Sequence, residues 1–297
     1  MRIYYNERIG QPGESPKLDL ATVSRHIKAA YLTCARADYL QEAFGYHCVD
    51  AGEVPGNAGS DFRTQFYLRT GIEIRERVDK FLDDADEVRL LTFIEFVHDH
   101  VSRPDPESGR LHSYMSCGMH YDCDSARFDT DAARTEWRQA VDKVLKYYGD
   151  GFSLSDSGEI QRSAPDGFGE LLKRDAPQDA GAANLAKLAS AVKTFRRGLS
   201  TREERKQAIR DLVDLLEFYR AEVKTSLLKK DEADLFDIAN NFALRHHRRN
   251  QKDDYPDVWL NWLFYMYLST VHLVLDLVHA QSPQVIAENG EEQDIPF

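Results

Sequence analysis

The stretch Trp259–His279, WLNWLFYMYLSTVHLVLDLVH, is apolar almost throughout and decides the fold of this chain. It is long enough to cross a bilayer, but Asn261, His272 and Asp276 fall inside it. A charged Asp within a span costs up to about 3 kcal/mol on insertion scales. A helix that is apolar on most sides is also typical of a protein core. The sequence therefore predicts a buried core helix, and we expect no membrane partner.

The residues before this stretch predict a mainly α fold. Apolar residues recur at three-to-four spacing from Ile209 to Leu227, and a similar stripe begins at Leu20. Ser200-Thr-Arg-Glu203 is typical of a capping box that opens a helix. One strand signal interrupts the pattern: in Phe152–Ile160 an Asp-Ser-Gly turn separates two short segments that can pair. We expect a helical bundle in the C-terminal part and one small β-hairpin near residues 152–160.

The segment Ala176-Pro-Gln-Asp-Ala-Gly-Ala182 has the composition of a linker. It separates an N-terminal, mainly helical region with the hairpin, residues 1–175, from a helical bundle over residues 183–280. From Ser282 onward the chain is polar and acidic. We expect residues 282–297 to form an acidic, flexible C-terminal tail.

Composition excludes several classes of protein. The 297 residues include 38 Lys and Arg against 50 Asp and Glu, a formal net charge of −12. This balance excludes a protein that coats nucleic acid or anionic membrane non-specifically, because both need a net basic face. Met1–Gly10 lacks the apolar run of a signal peptide, and four cysteines are too few for a disulfide scaffold. We therefore expect a cytoplasmic protein.

A local basic segment, Arg245–Lys252, contrasts with the global acidity. On a helix, Asn241, Arg245 and Arg248 or Arg249 share one face. Histidine moves a proton near neutral pH, and arginine holds a phosphate and its growing charge. Such a set is suited to cleaving a phosphodiester by attack of the ribose 2′-hydroxyl, without a metal. The alternative is a solvated helix end, where basic side chains are favourable against the helix dipole.

Three stretches of the C-terminal part carry a resemblance to known proteins. Leu235–His247, Gln251–Tyr255 and Trp259–Leu268 resemble bacterial proteins of the HEPN group and abortive-infection proteins. The resemblance covers roughly Ser200–Val278 and is looser over residues 66–160. It implies a helical bundle that forms a homodimer, and a toxin of antiviral defence that cleaves RNA as a metal-independent ribonuclease with no cofactor.

The resemblance also implies roles for individual residues. In HEPN ribonucleases an Arg and a polar residue are followed by four to six residues and then a His, whereas here Asn240 and Asn241 occupy the first two positions and Arg245 adjoins the histidines. The implied catalytic set is a general base, a phosphate stabiliser and a substrate-orienting amide: His246 or His247, Arg245 and Asn241, respectively. The implied RNA-binding residues are Arg248, Arg249 and Lys252. The alternative is a non-catalytic binding module, which some HEPN proteins are.

The chain ends in Asp294-Ile-Pro-Phe297 after an acidic lead-in. This ending is similar to the terminal tip of bacterial single-stranded-DNA-binding proteins. A terminal Phe offers an apolar side chain and a carboxylate, which a partner meets with an apolar pocket and an Arg or Lys clamp. Asp294, Ile295, Pro296 and Phe297 are therefore candidate partner-binding residues, and the resemblance implies partners in DNA replication and repair. The alternative is a coincidental match within an acidic tail.

His112, Cys117, His120 and Cys123 form the pattern His-x4-Cys-x2-His-x2-Cys. Imidazole and thiolate ligands at this density can make a tetrahedral zinc site. The spacing is not one of the standard zinc-finger patterns, so the favoured interpretation is a loop in which these side chains pack or hydrogen-bond locally. We expect no metal.

Overall fold

The computed structural model describes residues 4–10, 13, 16–48, 52–105, 107, 111–112, 120–121, 127–165, 167–177, 180–226, 229–242 and 255–280. Across these ranges the chain is mainly helical and its sheets are short, two-stranded and antiparallel, which confirms the predicted fold class. The chain divides into two units, Met1–Ser163 and Ala164–Phe297.

Helices build most of the first unit: α1 Tyr5–Arg8, α2 Leu20–Arg36, α3 Gln41–Phe44, α4 Phe62–Thr70, α5 Val78–Asp83, α6 Glu87–His100 and α7 Thr130–Leu145. Asp19 caps α2 by accepting a hydrogen bond from the backbone N–H of Thr22 at 2.7 Å. Trp137 of α7 is fully buried, and its ring N–H donates to the Ile94 carbonyl of α6 at 3.1 Å. Helices α6 and α7 are therefore joined in the core of this unit by both apolar packing and a hydrogen bond.

Four short ribbons accompany these helices in the described part of the first unit. They pair β1 Tyr46–Cys48 with β2 Gly52–Val54, β3 Arg103–Pro104 with β6 Phe128–Asp129, β4 Leu111–His112 with β5 His120–Tyr121, and β7 Phe152–Leu154 with β8 Ile160–Arg162. The β7–β8 pair is the predicted hairpin, with Leu154 opposite Ile160. The other three ribbons were not predicted from the sequence.

The second unit is a helical bundle of α8 Gly169–Lys173, α9 Ala182–Arg196, α10 Arg202–Phe218, α11 Arg220–Ser226, α12 Lys229–Asn241 and α13 Val258–Ala280. Phe264 of α13 is fully buried and stacks on Phe195 of α9 with ring centroids 3.8 Å apart. The unit begins at Ala164, earlier than the sequence-based start at residue 183. The difference arises because Phe168 packs on Tyr265, with ring centroids 4.5 Å apart, so the segment before the linker belongs to the bundle.

The capping box of α10 lies one residue later than predicted. Thr201 accepts from the backbone N–H of Glu204 at 3.2 Å, and Glu204 accepts from the backbone N–H of Thr201 at 2.8 Å. Ser200 instead donates its hydroxyl to the Thr194 carbonyl at the end of α9. Ser200–Glu203 and Thr201–Glu204 both satisfy the sequence pattern of a capping box. Thr201–Glu204 forms the capping box in the folded chain, because the Ser200 hydroxyl is bound to the Thr194 carbonyl in the turn between α9 and α10.

Helix α13 is the predicted apolar helix. By length and composition Val258–Val278 meets the requirement for crossing a membrane, and 56% of its apolar window is buried inside the structure. His272, one of the polar groups that interrupt the apolar run, is buried, and Asp276 pairs with Arg174. The burial supports the interpretation of α13 as the core helix of the bundle.

Candidate functional site

Among the predicted site residues, the structure describes Asn241 with its side chain: it is exposed and is the last residue of α12. The other predicted RNA-site and tip residues lie outside the described residues: Arg245, His246, His247, Arg248, Arg249, Lys252, Asp294, Ile295, Pro296 and Phe297. Of the zinc candidates, His112 pairs through its backbone with His120, while Cys117 and Cys123 lie outside the described residues. In the described ranges no group of three or more His, Cys, Asp or Glu is placed to hold a metal ion.

The structure describes the residues on either side of the basic segment, Phe242 and Tyr255. The chain leaves α12 at Phe242 and returns at Tyr255, and these two residues are in contact. The Tyr255 hydroxyl donates to the Phe242 carbonyl at 3.2 Å, and the two rings meet edge to face with centroids 5.1 Å apart. We call Phe242, Tyr255 and Asp257 the anchor. The contact at the anchor therefore brings together two residues that are 13 positions apart in the sequence.

Asp257 ties the anchor to the first turn of α10. Its carboxylate pairs with Arg202 and accepts from Arg205 Nη1 at 3.1 Å. Arg205 Nη2 donates to the Asn261 side-chain oxygen of α13 at 2.6 Å, and the Arg205 side chain is buried. Its guanidinium also lies 4.7 Å from the Phe195 ring centroid. A carboxylate, an amide and an aromatic face thus offset part of the cost of burying this cation.

Two cations of α10, Arg202 and Lys206, lie over the aromatic ring of Tyr255. The Arg202 guanidinium lies 4.6 Å from the Tyr255 ring centroid, and its Nη2 donates to the Tyr255 carbonyl at 2.5 Å. The Lys206 ammonium lies 5.7 Å from the same ring. Cations within about 6 Å of an aromatic face are attracted to it. The ring is therefore fixed by charge as well as by its hydroxyl, and Tyr255 is buried.

An aromatic patch adjoins the anchor. It consists of Phe242, Trp259 and Trp262. The Phe242 ring lies 5.3 Å from the Trp259 ring, which meets Trp262 edge to face at 5.7 Å. The two indoles keep 43% and 46% of their surface exposed. Sequence reasoning placed these tryptophans in a core helix and did not assign them to a site, because only the packing shows which face of α13 is left uncovered.

A second group of titratable side chains lies under the β7–β8 hairpin of the first unit. Glu95 accepts from the Ile160 backbone N–H at 2.6 Å, and Asp142 accepts from the Leu154 backbone N–H at 2.8 Å. The pKa values of both carboxyl groups are raised, mainly because burial disfavours their charged forms. These hydrogen bonds join the hairpin to α6 and α7. The two carboxylates therefore have a structural role, because each accepts a hydrogen bond from a backbone N–H of the hairpin.

His98 of α6 lies beneath the turn of the same hairpin. Its side chain is buried, and neither ring nitrogen has a hydrogen-bond partner among the described residues. Burial lowers the pKa of His98, and the nearby charge of Arg134 lowers it further, while Asp99 opposes the change. The Asp99 carboxylate lies 3.7 Å from Nδ1. The surroundings of His98 therefore favour the neutral form of its ring.

Comparison with known proteins adds no assignment: no family model, curated protein or solved structure matches the chain. What the described geometry offers is the anchor, whose residues Phe242 and Tyr255 flank the basic segment in the sequence, and two exposed indole rings next to Phe242.

Proposed function

We propose that this is a HEPN-like, abortive-infection-type protein of phage defence whose second unit cleaves RNA without a metal. The observation that carries the proposal is the anchor: Tyr255 and Phe242, the described residues on either side of the segment that contains the histidines, are joined by a hydrogen bond, and Asp257 forms ion pairs with α10. Catalysis requires such positioning, because a misplaced proton acceptor loses most of its effect. The protein acts in the cytoplasm as a homodimer.

In this mechanism His246 or His247 takes the proton of a ribose 2′-hydroxyl, whose oxygen attacks the adjacent phosphorus. The bond from phosphorus to the 5′-oxygen breaks, and that oxygen leaves with a proton taken from water, while the histidine afterwards releases its own proton to water. The products are a 2′,3′-cyclic phosphate and a 5′-hydroxyl end. Arg245 stabilises the charge that grows on the phosphate. Asn241, exposed at the end of α12, orients the substrate.

The test is single-turnover cleavage of total bacterial RNA in EDTA, with the purified full chain. The double variant His246→Ala/His247→Ala is compared with a matched control, His26→Ala/His47→Ala, which removes two exposed histidines from the first unit. Cleavage by the parent and the control that leaves 2′,3′-cyclic phosphate ends, and its loss in the first variant, would support the proposal. Equal cleavage by all three proteins, or none by the parent at high concentration, would contradict it.

A second candidate function is favoured by the tip, Asp294–Phe297. In this function the bundle is a non-catalytic interaction module, and the tip binds partners of the single-stranded-DNA-binding protein. The test measures whether the full chain displaces a labelled tip peptide of that protein from replication and repair proteins. Displacement that is lost in Phe297→Ala, and retained in the double histidine variant, would support this function. An equal effect of the parent and Phe297→Ala would exclude it.

A further inference from the structure

A buried histidine lies beneath the turn of the β7–β8 hairpin. The His98 side chain is buried, and neither ring nitrogen has a hydrogen-bond partner among the described residues. A Cβ atom at Gly158 would lie 2.3 Å from His98 Nδ1, so the turn approaches the ring closely. A buried polar group without a partner is costly, and a buried charge costs far more. The closed hairpin therefore accommodates the neutral ring and strongly disfavours the protonated one.

Carboxylates of the two neighbouring helices bind the hairpin at both of its edges. Leu154 of β7 donates its backbone N–H to Asp142 of α7 at 2.8 Å, and Ile160 of β8 donates its backbone N–H to Glu95 of α6 at 2.6 Å. The two donors lie opposite each other in the register of the hairpin, and both side chains are buried. The closed position of the hairpin thus depends on these two hydrogen bonds and on the burial of its inner apolar side chains.

The hairpin is placed so that it can move without displacing a helix of its unit. It follows α7 through Gly149 and Gly151, whose φ angles of +57° and +86° are readily adopted by glycine. The first unit ends at Ser163, directly after β8. Elements at the end of a unit open locally at a lower free energy than the unit unfolds as a whole. The hairpin is therefore suited to opening by itself.

Charged groups on three elements act on His98 or on its immediate surroundings. They are Glu95 and Asp99 of α6, Arg134, Arg138 and Asp142 of α7, and Asp156 and Glu159 of the hairpin. Burial lowers the pKa of His98, the charges of Arg134 and Arg138 lower it further, and Asp99 opposes them. The Asp99 carboxylate lies 3.7 Å from Nδ1, but 58% of its side chain is exposed, so water screens its charge. The closed form therefore offers a proton on His98 no adequate partner.

We propose that the β7–β8 hairpin is an acid-sensitive flap: a proton on His98 shifts the equilibrium toward a form in which the hairpin leaves α6 and α7 while the helices remain folded. In the open form water solvates the protonated ring, which removes the cost of burying its charge. Opening also exposes Leu154 and Ile160 and frees their backbone N–H groups. The proposal concerns the first unit and does not depend on cleavage of RNA by the second.

The direction of the response follows from which form binds protons more tightly. In the closed form burial holds the pKa of His98 below 6.5, whereas in the open form the pKa returns to about 6.5. The ratio of open to closed molecules therefore rises as the pH falls through 6.5, by up to about 10-fold between pH 7.5 and 5.5. Glu95 and Asp142 act in the opposite direction at lower pH, because burial raises their pKa in the closed form.

The test measures hydrogen–deuterium exchange of the Leu154 and Ile160 amides in the full chain at pH 7.5 and 5.5. Each rate is divided by the intrinsic exchange rate at the same pH, so the resulting protection reports the population of open molecules. We expect protection at both amides to fall by up to about 10-fold at pH 5.5. Low concentrations of urea should leave it unchanged, because a local opening exposes little surface. Val23 and Ile27, buried in α2, should be more strongly protected and more sensitive to urea.

Variants assign the response to His98. His98→Gln removes the proton-binding ring and keeps a polar side chain, and His98→Leu is a second variant without polar atoms. Both should abolish the pH dependence of protection in the hairpin. The matched control, His26→Leu, removes an exposed histidine of α2 and should retain the full response. Glu95→Gln/Asp142→Asn removes the opposing titration and should respond at least as strongly as the parent.

Three outcomes would overturn the proposal. The first is protection at Leu154 and Ile160 that agrees within twofold at the two pH values, both in the parent and in Glu95→Gln/Asp142→Asn. The second is a pH response that survives in the folded His98 variants or disappears in His26→Leu. The third is equal protection and equal urea dependence for the hairpin and for α2, because the hairpin would then open only when the whole unit unfolds.

Discussion

Replacing Asp257 with Asn tests whether the anchor depends on its central carboxylate. The substitution keeps the shape of the side chain and removes the negative charge that holds Arg202 and Arg205. The Arg205 side chain is only 3% exposed, so it would remain as a buried cation with the Asn261 amide and an aromatic face as partners. The anchor would then lose its ion pairs with α10 and keep the contacts of Arg202 and Lys206 with the Tyr255 ring.

The expected cost follows from the burial of the two partners. Removing one partner of a fully buried ion pair costs about 3–5 kcal/mol. The Asp257 side chain is 53% exposed, so water screens part of the loss and the expected value is lower. Asp257 also precedes α13, where a negative charge stabilises the helix start by about 0.3–1 kcal/mol. We expect Asp257→Asn to lower the free energy of unfolding of the second unit by about 2 kcal/mol.

The chain supplies a matched control at the other end of the same helix. Asp276 pairs with Arg174, and both side chains are close to half exposed. Exposed pairs are worth about 0–1 kcal/mol, and a carboxylate near a helix C-terminus opposes the dipole. Asp276→Asn should therefore leave stability nearly unchanged.

Urea unfolding followed by circular dichroism and tryptophan fluorescence gives both free energies, because Trp259 and Trp262 report on the second unit. In an Arg205→Met background, where the buried charge is absent, Asp257→Asn should cost at least about 1 kcal/mol less. Costs for the Asp257 and Asp276 variants that agree within about 0.5 kcal/mol would refute the reasoning.

Three other predictions follow from burial. Gly158→Ala should destabilise the first unit by about 2–4 kcal/mol in urea unfolding, because φ is +84° and the new Cβ would lie 2.3 Å from His98 Nδ1. The control is Gly71→Ala, which has φ +73° but open space around the new Cβ and should cost less stability. Equal costs for the two variants would contradict the packing argument. Burial lowers the pKa of His98 and His272 below 6.5, so the unfolded chain binds more protons than the native one as the pH falls through 6.5. Urea midpoints should therefore decrease from pH 7.5 to 5.5, and a constant midpoint would count against neutral, buried histidines. Phe264→Ala should lower the free energy of unfolding by about 3–5 kcal/mol, because the ring is fully buried against the Phe195 ring. Chemical denaturation should show this loss of stability in the second unit alone. A loss under about 1 kcal/mol would disprove close packing at this site.

The helices could be predicted from the sequence because their signals are local. The apolar stripe from Ile209 predicts the buried face of α10, and the Asp-Ser-Gly turn predicts the β7–β8 hairpin. The capping box shows the limit of such signals. Ser200 and Thr201 both fit the pattern, and only the end of α9, which binds the Ser200 hydroxyl, decides between them.

The candidate site could be predicted only in part. The basic segment is evident from composition, and its assignment to RNA cleavage stays a prediction. The anchor has no sequence signal: Arg205 and Asp257 are separated by 52 positions, and nothing local marks Arg205 as buried. The sequence also gives no signal that Trp259 and Trp262 are exposed, because the apolar run that contains them predicts burial throughout.

Helical periodicity, caps and net charge are properties of neighbouring residues, so the sequence alone determines the mainly α fold and the local concentration of basic charge. Which face of α13 is covered, which arginine is buried and where Phe242 meets Tyr255 depend on contacts between distant parts of the chain. The physical reason is that burial and ion pairing arise when helices pack together, and the packing of α9, α10 and α13 decides them here.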